Sequence, residues 1–197
     1  MWIAQALGGD RDAFACLVEK YQAAVFNLCH RMLGNAAEAE DAAQETFVRV
    51  YSRMRSYDPK QKLTSWILAV ASHHCIDRLR RRRIRWLSLD QVEHSRQLAG
   101  RSAAAETTML DKETQSEVAH LLQSLPADQR LVCVLRYWHE LSYAEIAETV
   151  GSTEGAVKSR LHRARRMLAS KLSGQDAMLL STRPTPEAKR VRKHAVL

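Results

Sequence analysis

A chain of 197 residues, 46% of them hydrophobic, has apolar material for one ordinary domain or two small ones. Aromatics at 6% and seven glycines argue against an all-β fold, and no apolar run approaches the ~18 residues that would cross a bilayer. The net charge of +8 favours a polyanionic partner, and its gathering at 78–85, 157–171 and after 188 suggests two separate contacts with one polymer.

In chain order, the first predicted helix follows Asp10. Phe14, Leu17, Val18, Tyr21, Val25, Leu28 and Met32 recur at helical spacing and stop at Gly34. A second helix over about 36–55 buries Ala39, Ala43, Phe47, Val50 and Met54. Its other side carries Asp41, Gln44, Glu45 and Val48 at i, i+3, i+4 and i+7. Asp58-Pro59 breaks the pattern, because a residue before proline avoids the helical region.

A third helix begins near Thr64 or Ser65, either a suitable N-cap, and runs into "LRRRRIR" at Leu79–Arg85. At 100° per residue, Leu68, Ala71, Cys75 and Leu79 share its core side. Trp66, His73, Asp77 and Arg80 form the opposite ridge. An aromatic, an imidazole, a carboxylate and a guanidinium in one line suit stacking on bases and bonding to them; the other reading of Trp66 packs it under the 56–62 loop. Four adjacent arginines repel one another, so the run implies a negative partner. A membrane fits poorly, since no large apolar surface remains to insert.

His73, His74 and Cys75 resemble a metal cluster, but successive helical residues point about 100° apart and do not converge on one ion. Cys16, Cys29, Cys75 and Cys133 are scattered without a Cys-x-x-Cys pair, as reduced thiols of a cytoplasmic protein are.

Residues 88–107 have weak periodicity, and "GRSAAAETT" reads as a linker. Helicity resumes with Leu110, Val118, Leu121, Leu122 and Leu125. Pro126 then opens another helix at the first-turn position, carrying Leu131, Val134, Leu135 and Trp138. In "SYAEIAETVGSTEGAVKSRLHRARRML", Ser142 and Glu145 form a capping box, and Gly151 ends a short helix. A new helix begins near Thr153. Ala147, Gly151 and Val157 stand where a helix-turn-helix needs a small crossing residue, a left-handed turn and a core anchor.

On that last helix Val157, Leu161, Ala164 and Leu168 make the apolar stripe. Gly155, Ser159, His162, Arg163 and Arg166 face away from it, flanked by Lys158, Arg160 and Arg165, with no acid from Val157 to Lys171. The pattern is that of a helix entering a major groove, with hydroxyl, imidazole and guanidinium groups for base edges and flanking cations for phosphates. After Gly174 the chain is polar and basic with Pro184 and Pro186, which predicts disorder.

Together these segments resemble the extracytoplasmic-function sigma factors, compact two-domain specificity subunits of bacterial RNA polymerase. The resemblance spans about residues 5–172. "GDRDAFACLVEKY" is similar to the start of the family's first conserved region and "AEDAAQETFVRVY" to its polymerase-docking segment. "SWILAVASHHCIDRLRRRRIR" is similar to the segment that reads and opens the −10 element, and the stretch from "LPADQR" to "RRML" to the −35-reading domain. The resemblance implies an all-α fold with region 2 at 1–87, a flexible linker at 88–107, region 4 at 108–173 and a tail at 174–197.

It also implies site residues. Asp41, Gln44, Glu45, Phe47 and Val48 fall in the polymerase-docking segment. Tyr57, Trp66, His73, His74, Asp77, Arg78, Arg80, Arg81, Arg82 and Arg83 fall on the −10 side. Thr153, Gly155, Lys158, Ser159, Arg160, His162, Arg163, Arg165 and Arg166 fall on the −35 side. The implied partners are core RNA polymerase, promoter DNA and an anti-sigma factor. His73 stands where many members carry a polar residue, often Asn, and Ile67 stands where large housekeeping factors have a second aromatic. Only nine residues precede Asp10, fewer than the family carries.

No paired carboxylates, metal triad or nucleophile–base spacing points to catalysis, so no enzyme, cofactor or small-molecule substrate is expected. The competing reading is a dimeric helix-turn-helix regulator acting without polymerase. It leaves the Trp66 ridge and the Asp41 face without a role.

Overall fold

The computed structural model describes residues 2–89 and 117–172, and these contain helix and turns without a strand. The first unit contains α1 (Trp2–Leu7), α2 (Arg11–Leu33), α3 (Ala36–Arg53), a 3₁₀ turn (Met54–Ser56) and α4 (Leu63–Leu89). The second contains α5, described over 117–123, then α6 (Ala127–Tyr137), α7 (Tyr143–Thr149) and α8 (Glu154–Lys171). The tail from 174 and most of the linker lie outside the described residues. α4 itself runs to Leu89, two residues past the expected linker start.

The boundaries have local causes. The Asp10 carboxylate accepts from the N–H groups of Asp12 and Ala13, which opens α2. Gly34 closes α2 in the left-handed region at φ 75°. The Asn35 side chain accepts from Glu38 N–H and opens α3 at once, so the two helices fold back as a hairpin. α1 was not foreseen; it buries Ala6 against the bundle. α4 begins at Leu63 rather than at a Thr64 or Ser65 cap. Leu63 and Ser65 are both buried, so packing draws the first turn inward.

Leu17, Val25, Leu28 and Met32 of α2 meet Ala39, Phe47 and Val50 of α3 and Ile67, Leu68 and Ala71 of α4. Each fully buried Leu or Met contributes about 1.5–3 kcal/mol. Cys29 and Cys75 meet inside this core with sulfurs 3.6 Å apart, and all four cysteines are free. The bond to Cys29, with burial, pushes the Cys75 thiol up, away from the reactive thiolate.

In the second unit, residues 130–136 of α6 are buried without interruption. An amphipathic stripe would leave half of them exposed. α6 is instead central: it packs on α7 and α8 on one side and on α2 and α4 on the other. The two units therefore share one continuous apolar core. Pro126 stands one position earlier than expected, as the N-cap of α6. Arg136, itself buried, donates to Leu141 O at 2.9 Å and lies over the Tyr143 ring, which holds the α6–α7 turn where Glu140 takes φ 54°.

Candidate nucleic-acid interface

The α7–α8 pair is built as its sequence requires. Ser142 Oγ accepts from Glu145 N–H and the Glu145 carboxylate accepts from Ser142 N–H, a complete capping box. Gly151 turns the chain at φ 61°, and Thr153 Oγ1 accepts from Ala156 N–H to open α8. Val157, Leu161 and Ala164 are fully buried, with Leu168 partly so. Thr153, Gly155, Ser159, His162, Arg163, Arg165 and Arg166 are all exposed, so beyond Glu154 in the first turn the outer face presents donors and cations without an acid. Lys158 is exposed but pairs with Glu154 at 3.7 Å and sits over Tyr143. Arg160 is partly buried and faces the cleft beside α4.

On α4, His73, Asp77, Arg80, Arg81, Arg82 and Arg83 are exposed. Trp66 is partly buried, and Tyr57 lies against it with ring centroids 5.2 Å apart. The Tyr57 hydroxyl donates to Gln61 O at 2.6 Å, so the 57–61 turn braces the indole and Trp66 packs against that loop.

His74 requires a correction. It is 9% exposed and belongs to the interior rather than the ridge; burial, then the charge of Arg49, lowers its pKa. His73 outside, His74 inside and Cys75 in the core diverge, as the helical pitch requires.

The α3 face carries exposed Asp41, Gln44 and Val48 with half-exposed Glu45, while Phe47 is buried behind them. Val48 is 62% exposed and Tyr51, which sequence reasoning missed, is 46% exposed beside it on the next turn. A period-based reading assigns Tyr51 to neither face. Arg78 approaches Asp41 at 3.5 Å and Arg82 approaches Glu38 at 3.9 Å, so the arginine run is partly balanced from within the bundle. These half-exposed pairs are worth about 0–1 kcal/mol each.

Between the units, Arg53, Ser65, Trp66, Val70 and His73 face Glu148, Thr149 and Gly151 across a cleft of about 350 Å³. At its edge Lys62 Nζ donates to Glu145 at 2.5 Å. That bond, with those from Ser142, holds the Glu145 carboxyl down at about 2. A carboxyl depressed in the folded state stabilises fully above its ordinary 4.5, and the contribution is lost as pH falls toward 2. Glu145→Gln should therefore flatten the pH dependence of thermal unfolding between those values. Equal slopes for parent and variant would remove Glu145 from the account.

Comparison with known proteins identifies the architecture. Residues 17–85 match the family model of sigma-70 region 2, and residues 115–168 match that of sigma-70 region 4. The ECF RNA polymerase sigma factor SigW of Bacillus subtilis is 35% identical over 176 residues, covering 86% of this chain and 94% of that protein. The ECF RNA polymerase sigma-E factor of Escherichia coli is 30% identical, covering 83% and 88%. Among solved structures, the sigma factor RpoE of Bartonella quintana, in complex with the anti-sigma factor NepR, superposes with a TM-score of 0.64. It is 22% identical and covers 82% of this chain and 98% of that one. CnrH, in complex with the cytosolic domain of CnrY, gives a TM-score of 0.65 at 22% identity, covering 88% and 96%. With both conserved regions in order on an all-helical frame, the chain belongs to the extracytoplasmic-function group of the sigma-70 family of RNA polymerase sigma factors.

Proposed function

We propose that this chain acts as a non-catalytic specificity subunit that binds core RNA polymerase through the α3 face, reads a −35 element with α8 and engages the opening −10 strand along α4. The observation that carries the reading is the outer face of α8, where Ser159, His162, Arg163 and Arg166 stand exposed opposite a buried apolar stripe. Direct bonds to base edges suit that face. The α4 ridge differs, because a braced indole at Trp66 and an exposed imidazole at His73 suit unstacked bases better than duplex phosphates.

Unstacking costs a few kcal/mol per step, so the contacts must act together within the polymerase complex. The separate chain should bind DNA weakly and with steep salt dependence. His74 has no part in the ridge. An anti-sigma protein is the natural second partner, as for the Bartonella protein named above. The dimeric regulator is not favoured, since it gives the α3 face nothing to do.

The test is reconstitution. Purified chain added to core polymerase should produce run-off transcripts from a subset of genomic fragments that core alone does not use. If no template is selected at any ratio of chain to core, the reading is wrong.

A further inference from the structure

We infer that the basic run Lys189–Lys193 is a third DNA contact, a sequence-independent hold on duplex phosphates beside the element that α8 reads; the place of this contact rests on the function proposed above. Three stretches of the chain concentrate positive charge, and that function employs two of them, on α4 and α8. The third sets Lys189, Arg190, Arg192 and Lys193 within five positions, with no acid from Ala188 to Leu197. The run lies outside the described residues. What bears on it is its charge and the end of α8 to which it is joined.

That end of α8 is uncompensated. Arg163, Arg165, Arg166 and Lys171 are exposed, and among the described residues none of them has a carboxylate partner. Lys158 is paired, but with Glu154 in the first turn. The arginine run of α4 differs, since Arg78 and Arg82 approach Asp41 and Glu38. Like charges repel, so the end of α8 offers a basic run nothing to bind.

The acidic face of α3 is a poor alternative. Of its four carboxylates, Glu38, Asp41 and Glu45 already meet Arg82, Arg78 and Arg49, at 3.9, 3.5 and 2.9 Å. The complement is therefore an external polyanion, and the outer face of α8 is built to stand against one.

Reach and chemistry agree with this. Duplex DNA carries one negative charge per about 1.7 Å of its axis, so phosphates continue past whatever element α8 covers. The chain between Lys171 and Lys189 can extend to ~60 Å at most. One helical turn of DNA is about 34–36 Å, which brings the adjoining turn within range. Lysine and arginine in close succession suit phosphate oxygens, which position a protein on the duplex and carry no sequence information.

The experiment compares the full chain with the variant Lys189→Gln, Arg190→Gln, Arg192→Gln, Lys193→Gln, which keeps the length and the described helices of the parent. Each binds a fluorescent random-sequence duplex of about 40 base pairs over roughly 50–200 mM salt. The slope of log affinity against log salt should be shallower in the variant by about three to four, since each phosphate contact contributes about 0.9. On a fragment selected by reconstituted holoenzyme, hydroxyl-radical footprinting should show the parent protecting about one helical turn more beside the −35 element. Equal slopes overturn the contact. Equal slopes with weaker binding of the variant to core polymerase overturn it too, and assign the run to the polymerase. A slope difference with identical footprints overturns the place beside α8. If reconstitution selects no template, the proposed function and that place fall together, while the duplex titration still judges the contact.

Discussion

Val48→Asp should leave the fold intact and weaken binding to core polymerase by about a hundredfold. Val48 is 62% exposed in the free protein, so its side chain contributes almost nothing to the bundle. A surface change of this kind alters stability by about 0.5 kcal/mol or less. Docking is different, because an apolar patch formed with Tyr51 is what a partner would cover. A carboxylate placed at its centre would be buried without a partner, and the loss of such an anchor costs about 2–4 kcal/mol. Titration of labelled chain with core polymerase measures it. The companion change, Asp41→Arg with Glu45→Arg, should have the same outcome at the charged end of the patch. The pairs it removes, with Arg78 at 3.5 Å and Arg49 at 2.9 Å, are too exposed to threaten folding. Normal holoenzyme formation by both variants would show that α3 docks nothing.

Arg163→Ala should lower transcription from promoters with a good −35 element by ten- to a hundredfold and leave affinity for core unchanged. Its Nε donates to Ser159 O at 3.3 Å, so the side chain lies along the outer face of α8. One bidentate guanidinium contact to a base is worth about 1–3 kcal/mol of discrimination. Arg165→Ala provides the contrast. Arg165 flanks the face, so its loss should weaken all templates alike and reduce the salt slope by about one. If Arg163→Ala also lowered every template equally, α8 would be holding the backbone and not reading sequence.

How much of this was legible beforehand follows from the range of the interactions. The caps at Asp10, Asn35, Ser142 and Thr153 span three residues or fewer, so the residue types alone announce them. The stripe on α8 is equally local, and its outer face could be named from helical pitch. His74 could not be placed this way. Pitch assigns it to no clear side of α4, and α3 packing over it decided the matter.

The amino-acid sequence by itself determined the longer helices, the capped starts of α7 and α8, the helix-turn-helix and the charge of each face, because these depend on neighbours three or four positions away, whereas α1 and the first turn of α4 depend on packing. Only the tertiary structure decided that residues 130–136 of α6 lie buried without interruption, that Tyr51 joins Val48 on the surface and that Arg130 caps a helix 98 residues before it. Such contacts join residues whose separation along the chain carries no periodicity. They exist only once the packing of one unit on the other has brought a donor to an unpaired carbonyl.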